Sequence, residues 1–373
     1  MKKVIIKECY SYDEKKIKKI LEEMIKELNF DLNKFKSILI KPNVLGPYEP
    51  EQCVTTNPKL LEAICSMINP KTKIFICDSS GTDIQNYTEK SFEISKIKSL
   101  ENRFKNVKVI SFNTMKLIKI NSSSKYLNGF YLPKILKDID LIINVPKLKT
   151  HTFMILTAGI KNLFGCIPGG AKAKLHKICK NSQNFAKMLL ELHEIIKPQL
   201  NIVDGIWGME GNGPSLGKPK QFGRLFVSKN ALALDIVIAK ALGFEQKDVP
   251  VNQLIKKRGL SFKDLKISGI DKLNLECKKP ISIKKMNNFL PAFIKKSLYE
   301  LKLKINPQKC KRCQICLKSC PVQAIYKKNN RILINHQKCI MCHCCYELCP
   351  YGAVEFKDRF LRSLIKKFKK IIN

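Results

Sequence analysis

Eight cysteines in the last quarter of the sequence stand at spacings suited to inorganic chemistry. Cys310-x2-Cys313-x2-Cys316-x3-Cys320-Pro321 recurs 29 residues later as Cys339-x2-Cys342-x2-Cys345-x3-Cys349-Pro350. The duplication reaches beyond the sulfurs: INPQKC precedes the first run, INHQKC precedes the second, and Ala324 matches Ala353. Three thiolates this close wrap three corners of a cubane, and the fourth, followed by proline, turns away to reach another one. That rule assigns Cys310, Cys313, Cys316 and Cys349 to one 4Fe–4S cluster. It assigns Cys339, Cys342, Cys345 and Cys320 to a second. A structural zinc site takes four ligands at other spacings, so zinc is the weaker reading. Two such clusters move electrons one at a time, at a potential the spacing does not fix. Cys344, beside Cys345, reads as a spare thiol, and His343 as a surface residue rather than a ligand.

A second constellation lies in the middle of the chain. From Leu141 to Leu190 there is no Asp or Glu, while eight lysines and two of the five histidines fall inside. LIINVPK reads as a buried strand ending at Pro146, so Lys147, Lys149 and His151 emerge at its carboxyl end. GIKNLFG then offers Gly159, Lys161, Asn162 and Gly165, and IPGG breaks the chain before Lys172, Lys174 and His176. Lysines gathered at a strand end repel one another unless an anion supplies the countercharge. The segment therefore reads as the basic floor of a pocket for a carboxylate or phosphate. In a reduction, which needs protons as well as electrons, His151 or His176 would donate the proton. Lys149 and Lys161 would bind the anionic group, Asn162 would orient it, and Asp204 or Glu210 would be a second acid or base. His193, inside a helical pattern, reads as structural, and Cys166 as a buried packing thiol.

These residues need a scaffold, and the first 275 residues supply its pattern. Short apolar, β-branched runs recur at 4–9, 37–41, 73–78, 107–112, 141–146, 200–205 and 225–228. Amphipathic helical patterns alternate with them at 13–28, 57–68, 183–196 and 230–242; in the first, Ile17, Ile20, Leu21, Met24, Ile25 and Leu28 share a face. Such alternation implies βαβ units, hence an α/β domain with a mostly parallel, doubly wound sheet. Ligands in such sheets sit beyond the carboxyl ends of strands. Lys41 and Asn43, then Asp78, Ser79, Ser80 and Gly81, are polar residues at two such ends.

Four segments follow from this pattern. Residues 1–277 form the α/β domain with the anion pocket, and 278–303 a basic connector. Residues 304–357 form a small α+β two-cluster domain, and 358–373 a basic amphipathic tail that could lie on an anionic membrane. The tail packing against its own protein is an equal reading.

Bulk properties narrow the classes further. The net charge is +38, from 69 Lys+Arg against 31 Asp+Glu, but 62 of the 69 are lysines. Base-edge and phosphate-fork recognition favours arginine, so nucleic-acid binding is disfavoured. The charge suits an anionic small-molecule substrate and an acidic redox protein as electron partner. The N-terminus lacks the apolar run of a secretory signal, and no stretch reaches membrane-span length, so a cytoplasmic location is expected. In that setting 16 cysteines point to metal rather than disulfides. No Gly-x-Gly-x-x-Gly follows the first strand, so a standard dinucleotide site is not indicated.

Over about Lys304–Phe356 the sequence resembles the bacterial-type two-cluster ferredoxins, which implies electron transport at the low end of cluster potentials. The order KPN, TTNP, DSSGTD, KLKTH, GIKNLFGCIPG, Lys174 and His176, then DGIWGMEGNGP, resembles the family called domain of unknown function 362, over roughly residues 2–270. Its members are described as Fe–S centre proteins that frequently carry a C-terminal ferredoxin domain. The expectation is an iron–sulfur oxidoreductase from an anaerobic organism, delivering electrons to an anionic substrate in the α/β domain. The alternative is a non-catalytic electron carrier or Fe–S accessory protein that docks to a redox partner.

Overall fold

The computed structural model of the chain describes residues 2–82, 84–270, 272–282 and 301–357. Most of the connector (283–300) and the whole tail (358–373) lie outside these residues.

Among the described residues twelve strands belong to the large domain. They are β1 (Lys2–Glu8), β2 (Ser37–Lys41), β3 (Lys73–Asp78), β4 (Val107–Ser111), β5 (Leu117–Lys119), β6 (Tyr131–Pro133), β7 (Leu141–Asn144), β8 (Lys147–His151), β9 (Ile155–Thr157), β10 (Leu200–Glu210), β11 (Lys218–Ser228) and β12 (Leu265–Ser268). Ten of them make one sheet, ordered β12-β1-β11-β10-β7-β2-β3-β4, with β8 attached to β10 and β9 to β8. The pairs β10/β7, β7/β2, β2/β3 and β3/β4 are all parallel. Only β11 and the short β9 run against their neighbours. β5 and β6 form a separate small hairpin.

Both faces of this sheet are covered, which is why its strands are apolar on both sides. Successive side chains point to opposite faces. Ile38 and Ile40 pack under the helices Glu14–Glu27 and Pro58–Ser66, with Leu21, Met24, Leu60 and Ile64. Leu39, between them, packs on the other side with Phe185, Leu189 and Leu192 of the helix Ser182–Ile196. The helix Ala231–Ala241 covers Val4, Val203 and Phe226 farther along that face. The sheet is doubly wound and mostly parallel.

The cysteine region folds as two antiparallel ribbons. β13 (Lys302–Ile305) pairs with β16 (Val354–Lys357), and β14 (Ile325–Lys328) with β15 (Arg331–Ile334). β13 begins two residues before the expected start of this domain, because Lys302 and Leu303 already pair with Lys357 and Phe356. The duplicated sequence makes duplicated bonds. Asn306 N–H donates to Ala353 O and Asn335 N–H to Ala324 O, each at 2.7 Å. Asn306 and Asn335 then each accept, through Oδ1, the N–H of the glutamine two residues on.

Candidate functional site

A cavity of about 950 Å³ lies beyond the carboxyl ends of β2 and β3, against β8 and β9. That volume is ample for a small organic ligand. Its floor is built by strand ends and by the chain that follows them: Lys41 and Asn43 after β2, Asp78 and Ser79 after β3, Lys149 and His151 from β8, Thr157 from β9. Lys161, Asn162, Phe164, Gly165, Lys172, Lys174 and His176 continue the wall.

Local packing sets each of these side chains. The short helix Gly159–Asn162 is fixed from below by Asp235, whose carboxylate receives Ile160 N–H. Gly159 fits closely there: a Cβ would sit 3.1 Å from Asp235 Oδ1 and 3.3 Å from Ala231 Cβ, and both would have to yield slightly. Asn144, at the end of β7, donates to Gly159 O at 2.8 Å and accepts from Asn162 Nδ2 at 2.8 Å. Asn162 Nδ2 also faces the Lys41 and Pro42 carbonyls, which leaves its Oδ1 without a partner. Beside β8, Ile155 takes φ 69°, a left-handed conformation rare for a β-branched residue and costing roughly 1–3 kcal/mol. The turn it closes aims two backbone N–H groups, Phe153 and Met154, at His151 Nδ1 at 3.0 and 3.2 Å. Because Nδ1 accepts, the proton of the neutral ring resides on Nε2, the nitrogen without a hydrogen-bond partner.

The charges are unbalanced. Among the described residues six lysines line the cavity (Lys41, Lys149, Lys161, Lys172, Lys174 and Lys318) against two carboxylates, Asp78 and Glu347. Lys41 is matched by Asp78 at 2.8 Å, both fully buried. Asp78 is further held by Val44 N–H and Ser79 N–H, each at 2.8 Å. Gly165 covers this pair so closely that a Cβ would fall on Asp78 Oδ1 and 2.7 Å from Lys41 Nζ. Among the described residues Lys149 has only a carbonyl, Val54 O at 2.7 Å, and Lys172 only the Ser79 hydroxyl at 2.6 Å. The Lys161 ammonium forms no ion pair among the described residues and lies 5.2 Å over Phe164 and 5.9 Å over Phe185.

Burial disfavours charge on Lys149, Lys161, Lys172, His151 and His176. It pulls Lys149 down to about 7, with the Lys161 and Lys147 charges adding to the effect. It pulls Lys172 down to about 7 as well, against the favourable charge of Asp78. Burial and then Lys161 hold His151 well below the usual imidazole range, and bring His176 to about 3. His176 stacks on Phe185 at 4.4 Å, with its Nδ1 unpartnered. Both cavity histidines are therefore neutral at neutral pH. Burial also raises the Glu347 carboxyl to about 7, so Lys149, Lys172 and Glu347 are the cavity groups poised to exchange protons there.

The cysteine domain completes the wall with Lys318, Ser319, Cys344, Glu347 and Leu348. It is held by contacts from several strands' loops: Thr152 Oγ1 with His343 Nδ1 at 3.1 Å, Ser215 Oγ to Glu347 O at 2.7 Å, and Tyr346 Oη to Asn212 O at 3.0 Å. Glu347 Oε1 comes within 3.4 Å of His151 Nε2. Asn43 Oδ1, His151 Nε2, Thr157 Oγ1, Asn162 Oδ1, His176 Nδ1 and Glu347 Oε1 are all buried and unpartnered. Orphaned polar atoms of this kind cost stability unless something fills the space between them. Here they belong to the lining of one cavity.

The cysteines fit a polynuclear group. Cys310, Cys313, Cys316 and Cys349 line one small enclosed space together with Ile305, Ile332 and Val354. Burial raises the Cys345 thiol well above its usual value, and Cys342, Cys316, Cys339 and Cys320 raise it further by proximity. Ala324 N–H donates to Cys320 Sγ and Ala353 N–H to Cys349 Sγ, both at 3.2 Å, which gives the Ala324/Ala353 match its physical meaning. Among the described residues no three His, Cys, Asp or Glu side chains converge tightly enough for a single metal ion.

Residues 38–240 match the family described as domain of unknown function (DUF362). The chain belongs to this family. Residues 302–350 match the 4Fe-4S dicluster domain, which supports an iron–sulfur electron-transfer role for the C-terminal part of this DUF362 protein. A thylakoid-associated protein of Synechocystis sp. is 32% identical over 227 residues, 60% of this chain and 68% of that protein. Among solved structures, the lactate racemase apoprotein from Thermoanaerobacterium thermosaccharolyticum aligns with a TM-score of 0.41 at 14% identity, over 61% of this chain. That alignment spans only 54% of the racemase chain. Among the described residues no helix is long and apolar enough to cross a membrane.

The structure brings Lys149, His151, Lys161, Asn162 and His176 to one cavity. Other expectations are corrected. Lys147 does not reach the cavity: it is fully buried in an ion pair with Asp204 at 2.9 Å, and Tyr12 Oη lies 2.8 Å from its Nζ. Asp204 is thereby occupied, also accepting from Tyr12 Oη and Asn57 N–H, and is no free acid or base. Glu210 faces Lys220 and Lys278 away from the cavity. KLKTH is itself a strand, β8, rather than a loop after one. His343 is 6% exposed, not a surface residue, because the second cysteine loop packs on Thr152 and Phe153. Sequence reasoning missed Glu347 and Thr157 as cavity residues. The offset of 29 could have signalled this face, since exposed Lys311-Arg312 becomes Ile340-Met341 in the second repeat.

Proposed function

We propose that this protein is an oxidoreductase that binds an anionic organic substrate in the cavity between its α/β and iron–sulfur domains. The observation that carries the reading is that residues flanking the cysteines close a cavity whose other walls are lysine-rich and hold unpartnered buried polar atoms. Eight cysteines would hold two 4Fe–4S clusters, Cys310, Cys313, Cys316 and Cys349 one, and Cys339, Cys342, Cys345 and Cys320 the other. When bound, such clusters supply electrons singly.

The chain's own residues supply the rest. Lys161 and Lys149 attract the substrate's anionic group, and its charge in turn favours their protonated forms. Asn162 Oδ1 and Thr157 Oγ1 orient its polar substituents. His151, neutral with hydrogen on Nε2, donates a hydrogen bond to oxygen where negative charge develops. Lys149 and Lys172, with pKa values of about 7, hold and release the proton that accompanies reduction. The contact at Thr152–His343 holds the cysteine domain against the α/β domain beside the cavity.

Anaerobic calorimetric titration of the holoprotein with a panel of small mono- and dicarboxylates and inorganic phosphate tests the pocket. At least one anion should bind wild type ten-fold or more tightly than Lys161→Met. Equal binding of every anion to both proteins would remove the anion-pocket reading.

A further inference from the structure

The two halves of the cysteine repeat have the same backbone and opposite surroundings. At equivalent positions Arg312 and Met341 have φ 55° and 52°, and Gln314 and His343 have φ 61° and 66°. In the second half Cys342, His343, Cys344 and Cys345 are buried, with His343 against Thr152 and Phe153. In the first half Lys311, Arg312, Cys313 and Gln314 are exposed. Cys313 is the exposed cysteine of the described residues. The sequence diverges with the environment: KRCQ outside, IMCH inside. Drift from a common ancestor explains a difference in residue type, but it does not sort basic residues to the free loop and apolar ones to the packed loop.

We propose that the loop Lys309–Gln314, with Tyr351 at its edge, is the docking surface for an acidic one-electron carrier protein. The proposal rests on the electron-transfer reading above and adds where the outside partner sits. Lys311 and Tyr351 line the same small space as Cys310 and Cys313, so a partner on this loop approaches the first cysteine set as closely as the chain allows. Lys311 and Arg312 offer positive charge, Lys309 beside them is paired with Glu355 at 2.8 Å, and Tyr351 is 48% exposed. Arginine and tyrosine are enriched at protein interfaces, and opposite charge steers encounter. The second loop cannot serve an outside protein, because the α/β domain already covers it. Each docking event oxidises the carrier by one electron, so a two-electron reduction of the substrate uses two events.

The test uses the anaerobic holoprotein and a bacterial flavodoxin, an acidic one-electron carrier, as the probe. Binding is measured by fluorescence anisotropy of labelled flavodoxin at low and high salt. Lys311→Glu/Arg312→Glu should weaken binding at low salt by at least about ten-fold, with the difference vanishing at high salt. The control Lys71→Glu/Lys105→Glu removes the same charge from exposed positions on the α/β domain, and should change binding less than about two-fold. Carbodiimide cross-links between flavodoxin carboxylates and wild type should map to Lys309 or Lys311, which decides the matter even if the charge-reversed loop loses iron. Equal effects of both double variants, or cross-links mapping elsewhere, would overturn the docking site. Such a failure is distinct from failure of the substrate cavity, which is read from Lys161-dependent anion binding.

Discussion

Lys149 should titrate more than three units below an ordinary lysine, and this can be measured without knowing the substrate. Its side chain is 1% exposed, its Nζ has only the Val54 carbonyl, and its pKa is pulled down to about 7. At pH 8 roughly nine in ten Lys149 amines are then neutral, against about one in 250 for a lysine at the ordinary value near 10.4. Reductive methylation with formaldehyde, a reagent small enough for the cavity, attacks only the neutral amine. Its rate at each lysine, followed by peptide mass spectrometry from pH 6 to 11, gives a midpoint for each site. The midpoint is the readout, because restricted access scales the rate equally at every pH. Wild type should show Lys149 and Lys172 near 7 and surface lysines near 10. Lys161→Met should raise the Lys149 midpoint by about one to two units, the effect of removing a unit charge about 6–12 Å away at an effective dielectric near 20. The sign of the coupling also sets the pH dependence of binding. An anion prefers the protonated lysines, so affinity is greatest below pH 7 and falls above it, by up to about ten-fold per pH unit for each coupled lysine. A Lys149 midpoint near 10, or one that ignores Lys161→Met, would refute the reasoning.

Three further outcomes follow from particular contacts. Gly165→Ala should drive apart the buried Lys41–Asp78 pair and cost about 3–5 kcal/mol, seen as a clear drop in melting temperature, whereas Gly243→Ala, in open space at positive φ, should cost less. Lys147→Met should destabilise by a comparable amount by stranding Asp204, and Lys147→Met/Asp204→Asn, which removes the buried charge but still accepts from Tyr12 Oη or Asn57 N–H, should recover part of the loss on thermal melting. Cys344→Ser should keep full iron content and visible absorbance, whereas Cys342→Ser should lose about half of both, because only Cys342 stands at a ligand spacing.

The scaffold was legible where a single periodicity decided it. The strands at 37–41 and 73–78 were read to the residue, since continuous apolar runs bounded by polar ends leave little choice. β10 and β11 were read only in part, because their outer halves form a long hairpin whose pairing, not its apolarity, makes it strand. KLKTH concealed β8 for a similar reason: its lysines suggest solvent, yet tertiary pairing with β10 and β9 buries all five residues. The acid-free composition pointed to Lys149, Lys161 and His176, but it could not separate Lys147. Its partner Asp204 lies 57 residues away and becomes a neighbour only once β8 and β10 pair. Glu347 and His343 were hidden more deeply, since their burial comes from the contact between two domains. The protonation states were not legible at all: burial beside Lys161 holds the two histidines neutral, and burial brings Lys149, Lys172 and Glu347 to about 7.

The central claim is that a substrate in the cavity exchanges electrons with the iron–sulfur domain. The most direct measurement reduces the holoprotein anaerobically, adds fractionated metabolite extract, and follows return of the visible cluster absorbance in wild type, Lys161→Met and Lys149→Met at equal iron content. The account predicts a fraction that reoxidises wild type rapidly and both variants at least ten-fold more slowly. Reoxidation by no fraction, or at the same rate in all three proteins, would contradict it.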